Sequence, residues 1–315
     1  MSPQPVIIAD PITGSRATVL PALGFNCLSF CPGGKAEREV LWSLPDFASG
    51  AQRPSRSGIP LLFPYPGRLH GHELHYAGQS YALEGDDHLG NAIHGYGLSR
   101  PWQVLEQSPS HVTGRFAVAP GDKAWTARWP AAFELTVKYE VRGHALRCTL
   151  LVKNPDSRPL PFGLGLHPWF RLPADQAQAA ACTVRVPAAK RYEQTNMLPT
   201  GRLLEAAGNF DLRQGATFGN LTLDDVYTGL TVQGDRVVCS ITSPDGQRRT
   251  TISFGERFSH CVVFTPTHRE AICIEPYTCA PNAYELTEQG VPAGLVTLAP
   301  GESAEYWMEI EGSAA

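Results

Sequence analysis

The sequence predicts an all-β chain folded as a large antiparallel sandwich, on three observations. Thirty glycines and 27 prolines are spread along 315 residues rather than gathered in linkers, the punctuation of many short strands and turns. Several runs alternate apolar and polar residues with period two, as a strand with one buried face does. Helical signal is weak, confined to stretches of one or two turns. No repeat period, linker or strand–helix alternation divides the chain, so residues 1–315 read as one domain of packed antiparallel sheets with few short helices.

The elements follow in chain order. Tyr76-Ala77-Gly78-Gln79-Ser80-Tyr81 reads as a hairpin. The clearest strand is 133–141, where Phe133, Leu135, Val137, Tyr139 and Val141 alternate with Glu134, Thr136, Lys138 and Glu140. Residues 146–153 repeat the pattern with Leu146, Cys148, Leu150 and Val152, and Arg142-Gly143-His144 supplies the turn of a second hairpin. Alanine-rich 176–181 and 203–207 are the helix candidates. Further strands are expected at 237–242, 249–254, 261–264, 271–275 and 304–310, the last closing the sheet system.

Composition removes several function classes. A net charge of −4 without a basic run argues against nucleic acid, whose phosphates need clustered Lys and Arg. No apolar stretch approaches the length of a membrane span. The start, Met1-Ser2-Pro3-Gln4-Pro5, lacks a basic region and an apolar region, so a cytoplasmic protein is expected. Eight cysteines, at 27, 31, 148, 182, 239, 261, 273 and 279, include no Cys-x-x-Cys pair and read as buried thiols rather than a disulfide framework. There is no Walker loop, no Gly-x-Gly-x-x-Gly after a strand and no zinc spacing, so no cofactor and no metal are expected. His70, His72 and His75 are tempting as a cluster, but the pattern fits solvated hairpin histidines.

Two segments more than a hundred residues apart hold the candidate chemistry: Gly163-Leu164-Gly165-Leu166-His167-Pro168-Trp169-Phe170 and Ile272-Cys273-Ile274-Glu275-Pro276-Tyr277. Each strand-like run ends on one titratable side chain followed by proline. Proline cannot continue a ladder, so each run is expected to stop there. One histidine plus one carboxylate is the minimum set for simultaneous proton donation and abstraction. Pro60, Pro64 and Pro66 make a stiff segment leading to Gly67 and Arg68. His94 precedes Gly95-Tyr96-Gly97, where glycines let backbone or ligand approach closely. Asp224 and Asp225 are adjacent, so in a strand they point to opposite faces.

Five blocks together carry a resemblance. They are Gly58-Ile59-Pro60-Leu61-Leu62-Phe63-Pro64-Tyr65-Pro66-Gly67-Arg68; Asn91-Ala92-Ile93-His94-Gly95-Tyr96-Gly97 with Arg100-Pro101-Trp102; the His167 segment; Leu223-Asp224-Asp225-Val226-Tyr227; and the Glu275 segment. In this order the chain resembles the aldose 1-epimerase (galactose mutarotase) family over residues 58 to 277. The resemblance implies a galactose mutarotase-like supersandwich with a cleft across one sheet. It implies interconversion of the α and β anomers of a free aldohexose such as galactose or glucose, without a cofactor. Glu275 would be the base that takes the C1 hydroxyl proton, and His167 the acid that protonates the ring oxygen. Arg68 and His94 would hydrogen-bond the sugar, and alignment favours Asp225 over its neighbour Asp224 as an acceptor of hydroxyls. Tyr96, Trp169 and Tyr277 would wall the cleft. Gly67 departs from the family, which usually has Asn before the arginine; that amide's bond must be absent or supplied elsewhere.

Rival readings remain. A hexose-6-phosphate 1-epimerase would carry an arginine where Leu98 stands, although Arg100 and Arg171 lie near. A non-catalytic sugar-binding module could lose either His167 or Glu275, yet this chain has both. A β-sandwich domain of a lyase or glycosidase would sit beside other domains. The expected partner is a monosaccharide, and the chain is expected to be a monomer or homodimer.

Overall fold

A computed structural model describes residues 4–33 and 38–312. Two antiparallel sheets dominate it, of nine and eight strands. The nine-stranded sheet has the hairpin Phe133–Arg142 and Ala145–Lys153 near one end, with Ser303–Gly312 and Arg249–Gly255 beyond it. The hairpin pairs Val141 with Leu146 and Glu134 with Lys153, and Gly143 supplies the positive φ of the turn. Period two in the sequence becomes strict alternation of burial, with Phe133, Leu135, Val137, Tyr139 and Val141 all turned inward.

The eight-stranded sheet places the site. Its central strands are Asp224–Leu230, His260–Phe264 and Ala271–Tyr277, flanked by Gly165–Leu166, Trp169–Arg171 and Leu61–Leu62. Tyr227, Val263, Ile272 and Ile274 face the nine-stranded sheet and join its apolar side chains in the main core. The other face of the same strands presents Val226, Val262, Cys273, Glu275 and Tyr277. Smaller apolar clusters and the short helix Ala283–Glu288 cover part of that face. The remainder is a cleft.

The small hairpin expected at 76–81 forms, with Glu73–Tyr76 paired to Gln79–Ala82 through Ala77 and Gly78 at positive φ, the conformation such two-residue turns require. The helix expected at 176–181 spans Gln176–Ala180, capped by the Asp175 carboxylate accepting from the Gln178 N–H. The helix expected at 203–207 does not form. Residues 203–205 belong to the strand Leu198–Glu205, registered on Ala188–Thr195, and Ala206 and Ala207 follow its end. A helix of five residues cannot repay its own nucleation, whereas the neighbouring strand offers a ready ladder.

Proline also acts differently at the two sites. The first run breaks at His167-Pro168 and pairing resumes at Trp169. The second does not stop: Ala271–Tyr277 runs through Pro276, with Glu275 opposite Val262 and Tyr277 opposite His260. A residue gives its N–H to one neighbour only, so Pro276 forfeits one bond while the pairs on either side hold the register. All eight cysteines are free and buried. Among the described residues no helix is long and apolar enough to cross a membrane.

Candidate active site

The cleft contains a cavity of about 460 Å³. Glu275 reaches it from the middle of a strand buried along its whole length, so its carboxyl is only 1% exposed. Tyr277, two residues on and therefore on the same face, donates its hydroxyl to Glu275 Oε2 at 2.7 Å. His167 enters from the break between its two strand segments, its backbone N–H held by the Pro60 carbonyl. Its Nδ1 lies 3.5 Å from Glu275 Oε1, close enough for charge to be felt and too far for a good hydrogen bond. That buried Nδ1 has no hydrogen-bond partner.

Aromatic groups fix the imidazole. His167 stacks on Trp169 with ring planes 3° apart and meets His94 edge-on at 5.5 Å. His94 has φ +67° and Gly95 φ +68°. A Cβ at residue 95 would stand 2.4 Å from the Phe63 carbonyl oxygen, so only glycine permits this turn. A strained, positive-φ histidine persists only where its surroundings hold it, and here the backbone N–H of His94 is fixed by the Gly67 carbonyl at 2.8 Å.

Arg68 lines the cavity with Nε donating to Asp87 Oδ2 at 2.6 Å. Burial alone would raise Asp87. Hydrogen bonds from the Asn91 backbone, Arg68 and the Leu89 backbone outweigh it and hold the carboxyl at about 2, fully ionised. Arg68 therefore has a fixed anion behind it and the cavity before it.

The lone pairs of the site are tuned by burial. Desolvation lifts Glu275 well above the ordinary carboxylate range, opposed by the Tyr277 hydrogen bond. Desolvation lowers His167 to about 4. His94 is also driven well down, by burial first and then by His167 and Arg68. Burial thus favours the uncharged form of each, a protonated carboxyl on Glu275 and a neutral imidazole on His167.

Of the expected residues, Glu275, His167, His94 and Arg68 come together, although they span over two hundred positions. Asp225 does not join them. Asp224 lines the cavity, and Asp225 turns to the opposite face and accepts from Arg191 Nη1 at 3.1 Å. Strand alternation forces one of the two away, and Val226 in the cavity with Tyr227 in the core shows which. Tyr96 is likewise not a wall of the cleft; it packs edge-on to Tyr65 and Trp125 in the main core. Trp169 and Tyr277 do line the cavity.

Gly67 has φ +65°, and a Cβ there would approach Pro281 Cγ to 2.6 Å. Pro281 thus occupies the space an asparagine side chain would need. Arg100, held open for a phosphate, pairs with Glu84, and Arg171 donates to the Leu41 carbonyl; neither lines the cavity. His70, His72 and His75 face Glu285, Asp86 and Glu73 separately in exposed positions and do not converge. Among the described residues, His167, Cys273 and Glu275 are the group whose ligand atoms lie within 4.8 Å of one another.

The sequence reading missed Asp87, Trp42, His268, Arg53 and Arg56. Asp87 pairs with Arg68 across 19 positions with no local pattern to announce it. Trp42 stacks on both Trp169 and His268 at the cavity edge.

Comparison with known proteins bears on the same chain. A family model described as aldose 1-epimerase matches residues 13–311. The uncharacterized protein YphB of Escherichia coli K12 is 26% identical over 264 residues, covering 79% of this chain and 81% of YphB. A galactose mutarotase-like protein from Clostridium acetobutylicum superposes with a TM-score of 0.84 at 20% identity, covering 99% of each chain. A GalM/aldose epimerase homologue from C. elegans gives 0.82 at 17% identity, again over 99% of each chain. At these identities the structural likenesses speak for the fold. With the family model matching nearly the whole length, the chain belongs to the aldose 1-epimerase family.

Proposed function

We propose that the protein is an aldose 1-epimerase acting on a free aldohexose, with Glu275 and His167 as its proton-transfer pair. The observation that carries this reading is a buried carboxyl and a buried imidazole, 3.5 Å apart, facing one cavity of about 460 Å³. An aldose ring is a hemiacetal. Opening it needs a proton taken from the C1 hydroxyl and a proton given to the ring oxygen as the C1–O5 bond breaks. Rotation about C1–C2 presents the other carbonyl face, and closure reverses the transfers.

The pair together holds the one proton this requires. Shifting it from Glu275 to His167 gives a carboxylate and an imidazolium without exchange with solvent. The carboxylate takes the C1 hydroxyl proton while the imidazolium protonates the ring oxygen. Ring opening then turns an ion pair back into two neutral groups, and burial favours that direction. Arg68 spends its Nε on Asp87 and offers its remaining N–H donors to sugar hydroxyls. His94 donates to the ring oxygen or a neighbouring hydroxyl, and Asp224 accepts from hydroxyls in place of Asp225.

The test is polarimetry of freshly dissolved α-D-glucose and α-D-galactose, with wild type and Glu275→Gln. An excess over spontaneous mutarotation, lost in the variant, supports the reading. Binding of sugar without any excess rate would make the chain a sugar-binding module instead.

A second reading has one observation in its favour. Arg53 and Arg56 line the cavity, are exposed, and form no ion pair among the described residues. Two such guanidiniums suit a phosphate on the sugar. An excess rate on hexose 6-phosphates, absent on the free sugars and lost in Arg56→Ala, would favour the phosphorylated substrate.

A further inference from the structure

The strand that delivers Glu275 also delivers Cys273, two residues earlier and on the same face. We infer that His167, Cys273 and Glu275 form a binding site for a thiophilic divalent cation, zinc above all, and that a cation held there stops proton transfer by the pair. The second half rests on the proposed epimerase reading; the binding does not.

The donor set is imidazole nitrogen, thiolate sulfur and carboxylate oxygen, the three ligand types zinc accepts. With metal–ligand bonds of about 2.0–2.3 Å, the edge of a zinc tetrahedron is about 3.5 Å. His167 Nδ1 and Glu275 Oε1 already stand 3.5 Å apart. All three ligand atoms fall within 4.8 Å of one another, so about an ångström of side-chain rotation closes the set.

A separate observation also points to a ligand. His167 is 7% exposed and its Nδ1 is buried without a hydrogen-bond partner. Buried polar atoms are rarely left so, and this one faces the Glu275 carboxyl.

Charge balance suits a buried cation. Coordination releases the thiol proton of Cys273 and the carboxyl proton of Glu275 to solvent, and two anionic ligands then neutralise the 2+ charge. The imidazole contributes its neutral lone pair. His167 and Glu275 line the cavity, which supplies the entry path and leaves the fourth position open to water or to a sugar hydroxyl. Cys273 is held from both sides, opposite Trp169 on one neighbouring strand and Phe264 on the other. With both lone pairs on the metal, neither Glu275 nor His167 can move a proton.

The experiment titrates metal-free protein with zinc against a fluorescent chelator, and with cobalt(II) while recording absorption. The site predicts one zinc per chain and a thiolate-to-cobalt charge-transfer band. Cys273→Ser should lose the band and at least about tenfold of zinc affinity. Cys279→Ser, a buried thiol outside the group, should bind as wild type. Should serine unfold the strand, Cys273→Ala repeats the test with an apolar side chain of similar size. Zinc affinity unchanged in the Cys273 variants, or no stoichiometric binding by wild type, overturns the site. Because binding is read without sugar, a zinc site in a chain that turns over no sugar would overturn the proposed function alone.

Discussion

Replacing Glu275 by glutamine removes a titratable group while keeping its shape and an oxygen to accept the Tyr277 hydroxyl at the 2.7 Å contact. Activity should fall about a hundredfold or more, the usual worth of a positioned proton-transfer group. Stability should move the other way, and its pH dependence isolates the cause. Burial raises the folded carboxyl well above its unfolded value of 4.5. The unfolded chain therefore ionises first, and the stability tied to the protonated form is complete below about pH 4.5 and lost as pH rises through the folded value. The slope is up to about 1.4 kcal/mol per pH unit. The variant has no such slope, so it should gain stability relative to wild type as pH rises above about 4.5. Urea unfolding of both proteins at pH 5, 6, 7 and 8 measures the difference, because other titrating groups are common to both. Parallel curves would mean that Glu275 is already ionised in the fold, and the argument from burial would be wrong.

Further expectations follow from the same geometry. The pair must carry one proton, so kcat/KM should fall toward pH 4 as His167, lowered to about 4 by burial, takes a second; an acid-limb midpoint near 6.5 would refute this. Asp224→Asn should lower kcat/KM about tenfold or more, whereas Asp225→Asn should leave it near wild type and cost about 1–3 kcal/mol by unpairing Arg191; steady-state kinetics with thermal melts separates the two. Asp87→Asn should raise KM more than it lowers kcat, since Arg68 loses the anion that orients it, and identical KM values would argue against that role. Gly67→Asn should destabilise the fold by about 1–3 kcal/mol through overpacking on Pro281, and an unchanged melting temperature would contradict the 2.6 Å approach.

Much of the fold was legible because it is written in short-range pattern. Alternation at 133–141 forces one face of a strand inward whatever lies across from it, and Ala77-Gly78 or Gly143 can satisfy a tight turn in any context. The helix expected at 203–207 failed because a five-residue alanine and leucine signal is weaker than one partner strand. Pro276 failed as a stop signal because the ladder on either side was already secured.

The sequence by itself determined that the chain is strand-built, that His167 and Glu275 lie on strand-like runs with His167 at a break, and that Asp224 and Asp225 cannot share a face. Tertiary structure alone decided which of the two aspartates meets the cavity, since that depends on which side of the eight-stranded sheet faces the core. It alone brought Asp87 to Arg68 and Pro281 against Gly67, because those contacts join segments whose separation carries no periodic signal. It also set the protonation of the site. A side chain's pKa follows from the water removed around it, and desolvation belongs to packing rather than to any run of residues.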